Sequence, residues 1–340
     1  MSVKTSDRML HETVSRRAVV DSPDSQSRVR SAPRPGQDPY PTRLAEPLDM
    51  PWLNRREEVV KGRAEEGPLS QAQLDEFDRK GFLFEPNFIS GEELDELRRE
   101  LAALLERDDF RGRDFAITEP SGNEIRSLFA VHFLSERLGQ LARDARLVGR
   151  ARQILGGEPY VHQSRINYKP GFEGKGFNWH SDFETWHAED GMPRMRALSM
   201  SVLLAENTPY NGPLMMIPGS HRTFITCVGE TPDDHYRQSL KKQEYGVPDE
   251  LSLAVLAHKH GIVAPTGQPG TVIVFDCNTM HGSNGNITPC PRSNAFLVYN
   301  AVSNRLEKPF GADKPRPEFI AAREVRPISP HRGLIDKAAA

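Results

Sequence analysis

Cysteine is scarce in this sequence and never clustered. Cys227, Cys277 and Cys290 are three in 340 residues, with no CxxC spacing. That excludes a disulfide framework and the common zinc ribbons, and it favours a reducing, cytoplasmic setting with inert thiols. No apolar run approaches the roughly 20 residues of a membrane-spanning helix, so no membrane association is expected. Residues 1–36 hold no continuous apolar stretch, which argues against a secretory signal. Asp7, Glu12, Asp21 and Asp24 argue against a transit peptide. A strong charge of either sign is missing too. Lys plus Arg is 44 and Asp plus Glu is 47, a formal net charge of −3. Nucleic-acid binding needs a basic field, and none is present.

What remains reads as one globular domain with extensions. Residues 1–50 are expected to be a disordered arm rich in Ser and Arg, within a poorly ordered lead-in that reaches residue 67. The domain is expected over 51–330, with a tail at 331–340. Ser70 and Gln73 form a capping box for a helix that Gly81 ends. Ser90 and Glu93 suggest a second box, with Leu94, Leu97, Leu101 and Leu104 at helical spacing. A third helical stretch is predicted over about 135–155. After Gly157 the pattern changes to strand-like runs at 160–169, 177–183, 197–205, 213–217, 271–276 and 294–301. One helix near 249–258 interrupts them. Helices first and strands afterwards, without βαβ alternation, predict a mainly β, closed or double-sheet antiparallel architecture with flanking helices.

The densest chemistry lies in FNWHSDFETWHAEDGMP, residues 177–193. If 177–183 is a strand, His180 and Asp182 project from one face. With His281, after the buried run GTVIVFDCNTM, they make a 2-His-1-carboxylate set, which leaves positions open on Fe(II). Spacing alone is weak evidence in a chain with 11 His, and a structural hydrogen-bonded His180–Asp182 pair is the alternative. His187 is a rival ligand, and His221 in PGSH reads as a turn histidine contacting backbone. Arg292, at the head of a strand-like run, can anchor a carboxylate or simply end a loop. In YVHQSRINYKP, period-2 alternation places Val161, Gln163, Arg165, Asn167 and Lys169 on one face. That face lines a pocket or meets solvent. The charged stretch 229–245 is either a lid or a surface insertion.

The stretch 177–193 matches F-x-W-H-S-D-F-E-T-W-H-x-E-D-G-[ML]-P without departure, and HQSRINYKP, PLMMIPGSH and MHGSNGN fit as well. In these residues the chain resembles the ectoine hydroxylases, a branch of the phytanoyl-CoA-dioxygenase-like Fe(II)/2-oxoglutarate family, over roughly 68–325. The resemblance implies a double-stranded β-helix (jelly roll) and hydroxylation of ectoine with Fe(II), 2-oxoglutarate and O2. His180, Asp182 and His281 match the iron ligands. Lys169 and Arg292 match contacts to 2-oxoglutarate, bordered by Phe129, Asn167 and Ser283. Gln163 and Trp186 match the ectoine site, bordered by Arg165, Thr185, Phe275, Phe296 and Arg316. Under this match His187 becomes structural, and Glu184 and Glu189 keep to the surface or to salt bridges. Related enzymes are often homodimers. Two other functions stay open: a sister dioxygenase for another small zwitterion, and a non-catalytic jelly roll that binds solutes.

Overall fold

The computed structural model describes residues 38–119, 124–232, 234–240, 245–331 and 333. The expected arm up to residue 37 lies outside the described residues, as do 233 and 241–244 of the charged stretch and most of the tail. One compact unit runs from Tyr40 onward. The lead-in does not behave as expected after that point. Tyr40, Thr42 and Arg43 are buried, because Tyr40 packs on Phe183 and Phe224 and Arg43 meets buried carboxylates.

The strands are β1 (Trp52–Asn54), β2 (Phe82–Glu85), β3 (Ala116–Thr118), β4 (Ile125–Phe129), β5 (Pro159–Lys169) and β6 (Phe177–His180). They continue as β7 (Ala197–Leu203), β8 (Leu214–Met216), β9 (Thr223–Ile225), β10 (Val272–Asp276), β11 (His281–Ser283) and β12 (Arg292–Ala301). A seven-stranded sheet runs β2-β10-β7-β12-β5-β4-β3, and a three-stranded sheet runs β6-β11-β8. The registered strand pairs are antiparallel. The two sheets meet through Phe82, Leu203, Ile273, Phe275 and Phe296 of one and Leu214 and Met216 of the other. That is the jelly roll with its site between the sheets.

Alternation explains why the large sheet has two apolar faces. In β12, Ala295, Leu297 and Tyr299 point to the helices, while Phe296 and Val298 point away from them. The helix side holds the main core. Leu74 and Phe77 of helix Gln71–Lys80 join it with Leu97, Leu101 and Leu104 of helix Gly91–Leu105. The first helix is built as its sequence predicts. Ser70 and Gln73 cap each other's backbone, and Gly81 closes it in the left-handed region, where a Cβ would strike the ring of His221. The second helix departs, because Ser90 makes no side-chain cap. The third stretch is two helices, Glu136–Ala142 and Ala145–Leu155. Asp144 breaks it by capping Arg146 with its carboxylate. Among the described residues, no helix is long and apolar enough to cross a membrane.

β5 carries one correction that matters for the site. Val298 pairs with Gln163 and Tyr299 with Val161, so His162 is an extra residue on its strand. The bulge reverses the alternation upstream of it. Val161 therefore packs on the helix-side core and not with Gln163 and Arg165.

Candidate active site

β6 ends at His180, and the chain does not continue extended. Asp182–Thr185 is a helical turn that runs into a π-turn over Trp186–Asp190, closed by Gly191 in the left-handed region. The expected strand 177–183 is thus wrong in its second half. Asp182 reaches the site because a strand turns sharply into a helix, not because strand faces alternate. β11 lies antiparallel beside β6 with His281 directly opposite His180. A cross-strand pair puts both imidazoles on one side.

The result is tight. His180 Nε2 is 3.8 Å and His281 Nε2 is 3.9 Å from Asp182 Oδ1, and the three candidate ligand atoms lie within 4.8 Å of one another. Each ring is fixed by its other nitrogen. Nδ1 of His180 donates to the Asn178 carbonyl at 2.7 Å, and Nδ1 of His281 to the Thr279 carbonyl at 2.9 Å. That tautomer leaves both Nε2 lone pairs facing the carboxylate, the arrangement metal-binding histidines use. Burial, with the neighbouring His281, pushes His180 down to about 4, so it is a neutral donor near pH 7. Burial works to raise Asp182, but His281, Arg165, His180 and a hydrogen bond from Ser199 outweigh it, and the carboxylate is held below its usual range. Two imidazoles and one carboxylate, gathered on one side, suit Fe(II) with positions left open. His187 is no ligand: it is fully buried, stacks on Phe310 at 4.1 Å and donates Nδ1 to the Met192 carbonyl. His221 contacts the Asp78 carbonyl, as a turn histidine should.

The triad opens into a cavity between the sheets. One end is cationic. Arg292 lies on its wall, fully buried, with Nη1 donated to the Gly212 carbonyl and Nε without a partner. Burial, then Arg126, pushes Arg292 down to about 10. Asn167 and Ser283 line this end, with Phe129 beside them. Lys169 is not on the wall. It stands behind Ser283, donating Nζ to Ser283 Oγ at 2.9 Å and to the Asn284 carbonyl at 2.5 Å. Burial and the charges of Arg292 and Arg126 push Lys169 down to about 6. Glu119 is the carboxylate paired here, 3.8 Å from Arg126. A buried group of basic side chains with an unbonded guanidinium nitrogen fits a dianionic carboxylate such as 2-oxoglutarate.

The other end is lined by paired charges. Arg316 lines it and forks onto Asp190 at 2.7 and 2.6 Å. Gln163, Arg165, Thr185, Trp186 and Phe296 line it as expected. Gln163 Nε2 donates to the Ile320 carbonyl, and Arg165 donates to Gln163 Oε1. Phe275 is the exception: buried in the apolar layer, it stands edge-on to His281 and does not reach the cavity.

Several wall residues had no predicted role: Ser127, Phe177, Glu189, Leu214, Leu240 and Tyr245. Glu189 was within reach of sequence reasoning, since it follows Trp186 by three positions on a helical segment. It and Glu184 are both buried and both pair with Arg43, at 3.1 and 2.7 Å. Burial raises Glu189, while Arg43 keeps Glu184 low against its own burial. Nothing in the lead-in marked Arg43 as their partner.

Comparison with known proteins adds names to this geometry. A family model described as phytanoyl-CoA dioxygenase (PhyH) matches residues 77–294. The ectoine dioxygenase of Halomonas elongata is 66% identical over 330 residues, covering 97% of this chain and 99% of that one. The ectoine dioxygenase of Sphingopyxis alaskensis is 63% identical over 288 residues, covering 84% and 94%. The crystal structure of EctD from S. alaskensis with 2-oxoglutarate and 5-hydroxyectoine matches with a TM-score of 0.80 at 56% identity, over 88% of this chain and 100% of that one.

Proposed function

The chain belongs to the phytanoyl-CoA dioxygenase family, and from that premise we propose that it hydroxylates ectoine to 5-hydroxyectoine with Fe(II), 2-oxoglutarate and O2. The observation that carries this reading is the His180–Asp182–His281 set opening onto a cavity whose far end is an unneutralised guanidinium.

When bound, ferrous iron and 2-oxoglutarate supply the oxidising power: O2 is consumed in converting 2-oxoglutarate to succinate and CO2 and in placing one oxygen atom on ring carbon 5. The protein's part is binding, orientation and exclusion of water. His180, Asp182 and His281 hold the metal from one side. Arg292 takes a carboxylate of 2-oxoglutarate, with Ser283 and Asn167 beside it and Lys169 Nζ behind Ser283. Trp186 offers a ring face to the delocalised amidinium of ectoine. Gln163, itself fixed by Ile320 and Arg165, and Arg316, fixed by Asp190, orient the polar edge and the carboxylate. Because both orienting groups are already held, the ring is placed at little further entropic cost.

The test is direct. Purified protein is incubated with Fe(II), 2-oxoglutarate, ascorbate, O2 and ectoine. Succinate and 5-hydroxyectoine formed together, and only when ectoine is present, support the reading. Ectoine bound with no 2-oxoglutarate consumed leaves a solute-binding jelly roll. Succinate released by another zwitterion but not by ectoine points to a sister dioxygenase.

A further inference from the structure

Phe177 opens the signature stretch, yet no role has been given to it above. It pairs with Ser283 across β6 and β11, and both line the central cavity. The same two residues also line a second, outer cleft, with Arg126, Lys175, Asn284 and Trp179. Phe177 and Ser283 therefore stand between the cationic end of the cavity and the outer cleft. Arg126 lies over the Phe177 ring at 4.1 Å, and Lys169 Nζ is 5.9 Å from the same ring.

Basic side chains mark a path inward. Lys175 is exposed at the rim, Arg126, paired with Glu119, is buried beside the partition, and Arg292 lies inside. Among the described residues lining the outer cleft there is no carboxylate. The opposite end of the cavity adjoins a different cleft, sharing Glu189 and Arg316 with it, whose lining includes Asp234 and Asp313 as well as Lys314 and His235. A dicarboxylate gains from the first field and little from the second. A zwitterion with no net charge is steered by neither.

We propose that 2-oxoglutarate reaches the cavity, and succinate leaves it, through the outer cleft of Lys175 and Arg126 past Phe177, separately from the mouth at Glu189 and Arg316 that admits ectoine. This rests on the function proposed above. Separate routes let the cosubstrate be collected by a field that the substrate does not feel.

The experiment uses Fe(II)-loaded enzyme without O2, in a stopped-flow instrument. Binding of 2-oxoglutarate is followed by the visible absorbance it gives on ferrous iron. Lys175→Glu reverses the rim charge without touching the wall of the central cavity. Its association rate for 2-oxoglutarate is expected to fall about tenfold at low salt, and the salt dependence of that rate to flatten. Lys175→Arg restores the wild-type rate, and the KM for ectoine is unchanged in both variants. A fall in rate smaller than about threefold, or an equal rise in the ectoine KM, overturns the separate route. A wild-type enzyme that gives no 2-oxoglutarate absorbance overturns the iron reading itself, and the route falls with it.

Discussion

Arg316 and Arg292 are both buried guanidiniums lining one cavity, at its opposite ends, and their surroundings act on them in opposite directions. Burial works to lower Arg316, but the forked bond to Asp190 more than reverses it, and the net shift is upward. Among the described residues Arg292 has no carboxylate partner; it has one bonded Nη and an unbonded Nε, and it is held down to about 10. Arg43 and Lys169 repeat the contrast behind the two walls. Arg43 is raised by Glu184 and Glu189 against its own burial, while burial, Arg292 and Arg126 lower Lys169. Leaving a buried guanidinium without a counter-charge costs free energy, so such a group persists where a ligand completes it. The paired end is finished without a ligand and serves as a mould. The unpaired end is unfinished until an anion arrives.

Between the two ends stands the triad, and its loss is the largest effect expected. His180→Ala removes one of three donors and leaves both ends intact. Iron retention and hydroxylation should fall to background, with a melting temperature close to wild type. Metal analysis showing wild-type iron in this variant removes the ligand assignment.

The contrast itself is broken or kept by a matched pair of substitutions. Arg316→Met strands the Asp190 carboxylate in a dry site and should destabilise the protein by about 3–5 kcal/mol. Arg292→Met removes a cation that lacks a counter-charge. The ligand-free protein should melt no lower than wild type, yet its affinity for 2-oxoglutarate should drop by about 100-fold. Thermal melts with and without 2-oxoglutarate read both. If Arg292→Met destabilises the ligand-free protein as much as Arg316→Met does, the two ends are not different in kind.

A smaller effect tests the mould. Arg43 sits in the left-handed region, a conformation that costs about 1–3 kcal/mol for a residue with a side chain, and its fork onto Glu184 offsets that. Arg43→Lys keeps the charge and loses the fork. The KM for ectoine should rise about tenfold while iron content and 2-oxoglutarate affinity hold, because Glu189 faces the substrate end alone. Equal losses in both affinities place Arg43 in general stability instead.

These partnerships also mark where reading the sequence stops. The helix Gln71–Lys80 is legible because its signals, Ser70, Gln73 and Gly81, sit within the element they specify. His180, Asp182 and His281 are legible as donors of the right type, although the strand drawn through Asp182 is a helical turn. The partners of the charges are not legible. Arg43 and Glu184 are 141 positions apart, and Arg316 and Asp190 are 126 apart. No local pattern records which distant charge a carboxylate will meet. One bulged residue, His162, likewise sends Val161 to the opposite face, and strict alternation has no term for it.

The smallest effect expected is a pH dependence at the unfinished end. Lys169 is held down to about 6 in the ligand-free protein, so it is mostly neutral at pH 7.5. In the unfolded chain a lysine stays protonated up to about 10.4. Between those values the unfolded state holds the extra proton, so Lys169 makes the ligand-free protein more stable as pH rises through that window. Binding runs the other way. A dianion beside Ser283 favours the ammonium, so the complex takes up a proton that the free protein lacks. Affinity for 2-oxoglutarate should therefore fall as pH rises above 6, by at most about tenfold per unit, until the complex itself releases the proton. His180, already neutral well below pH 6, contributes nothing in this range. Calorimetry at pH 7.5 in buffers of different ionisation enthalpy counts the protons directly. Uptake approaching one, abolished in Lys169→Met, fits an end that is completed by its ligand. No uptake in the wild type means that Lys169 stays neutral in the complex and that Arg292 alone answers the anion.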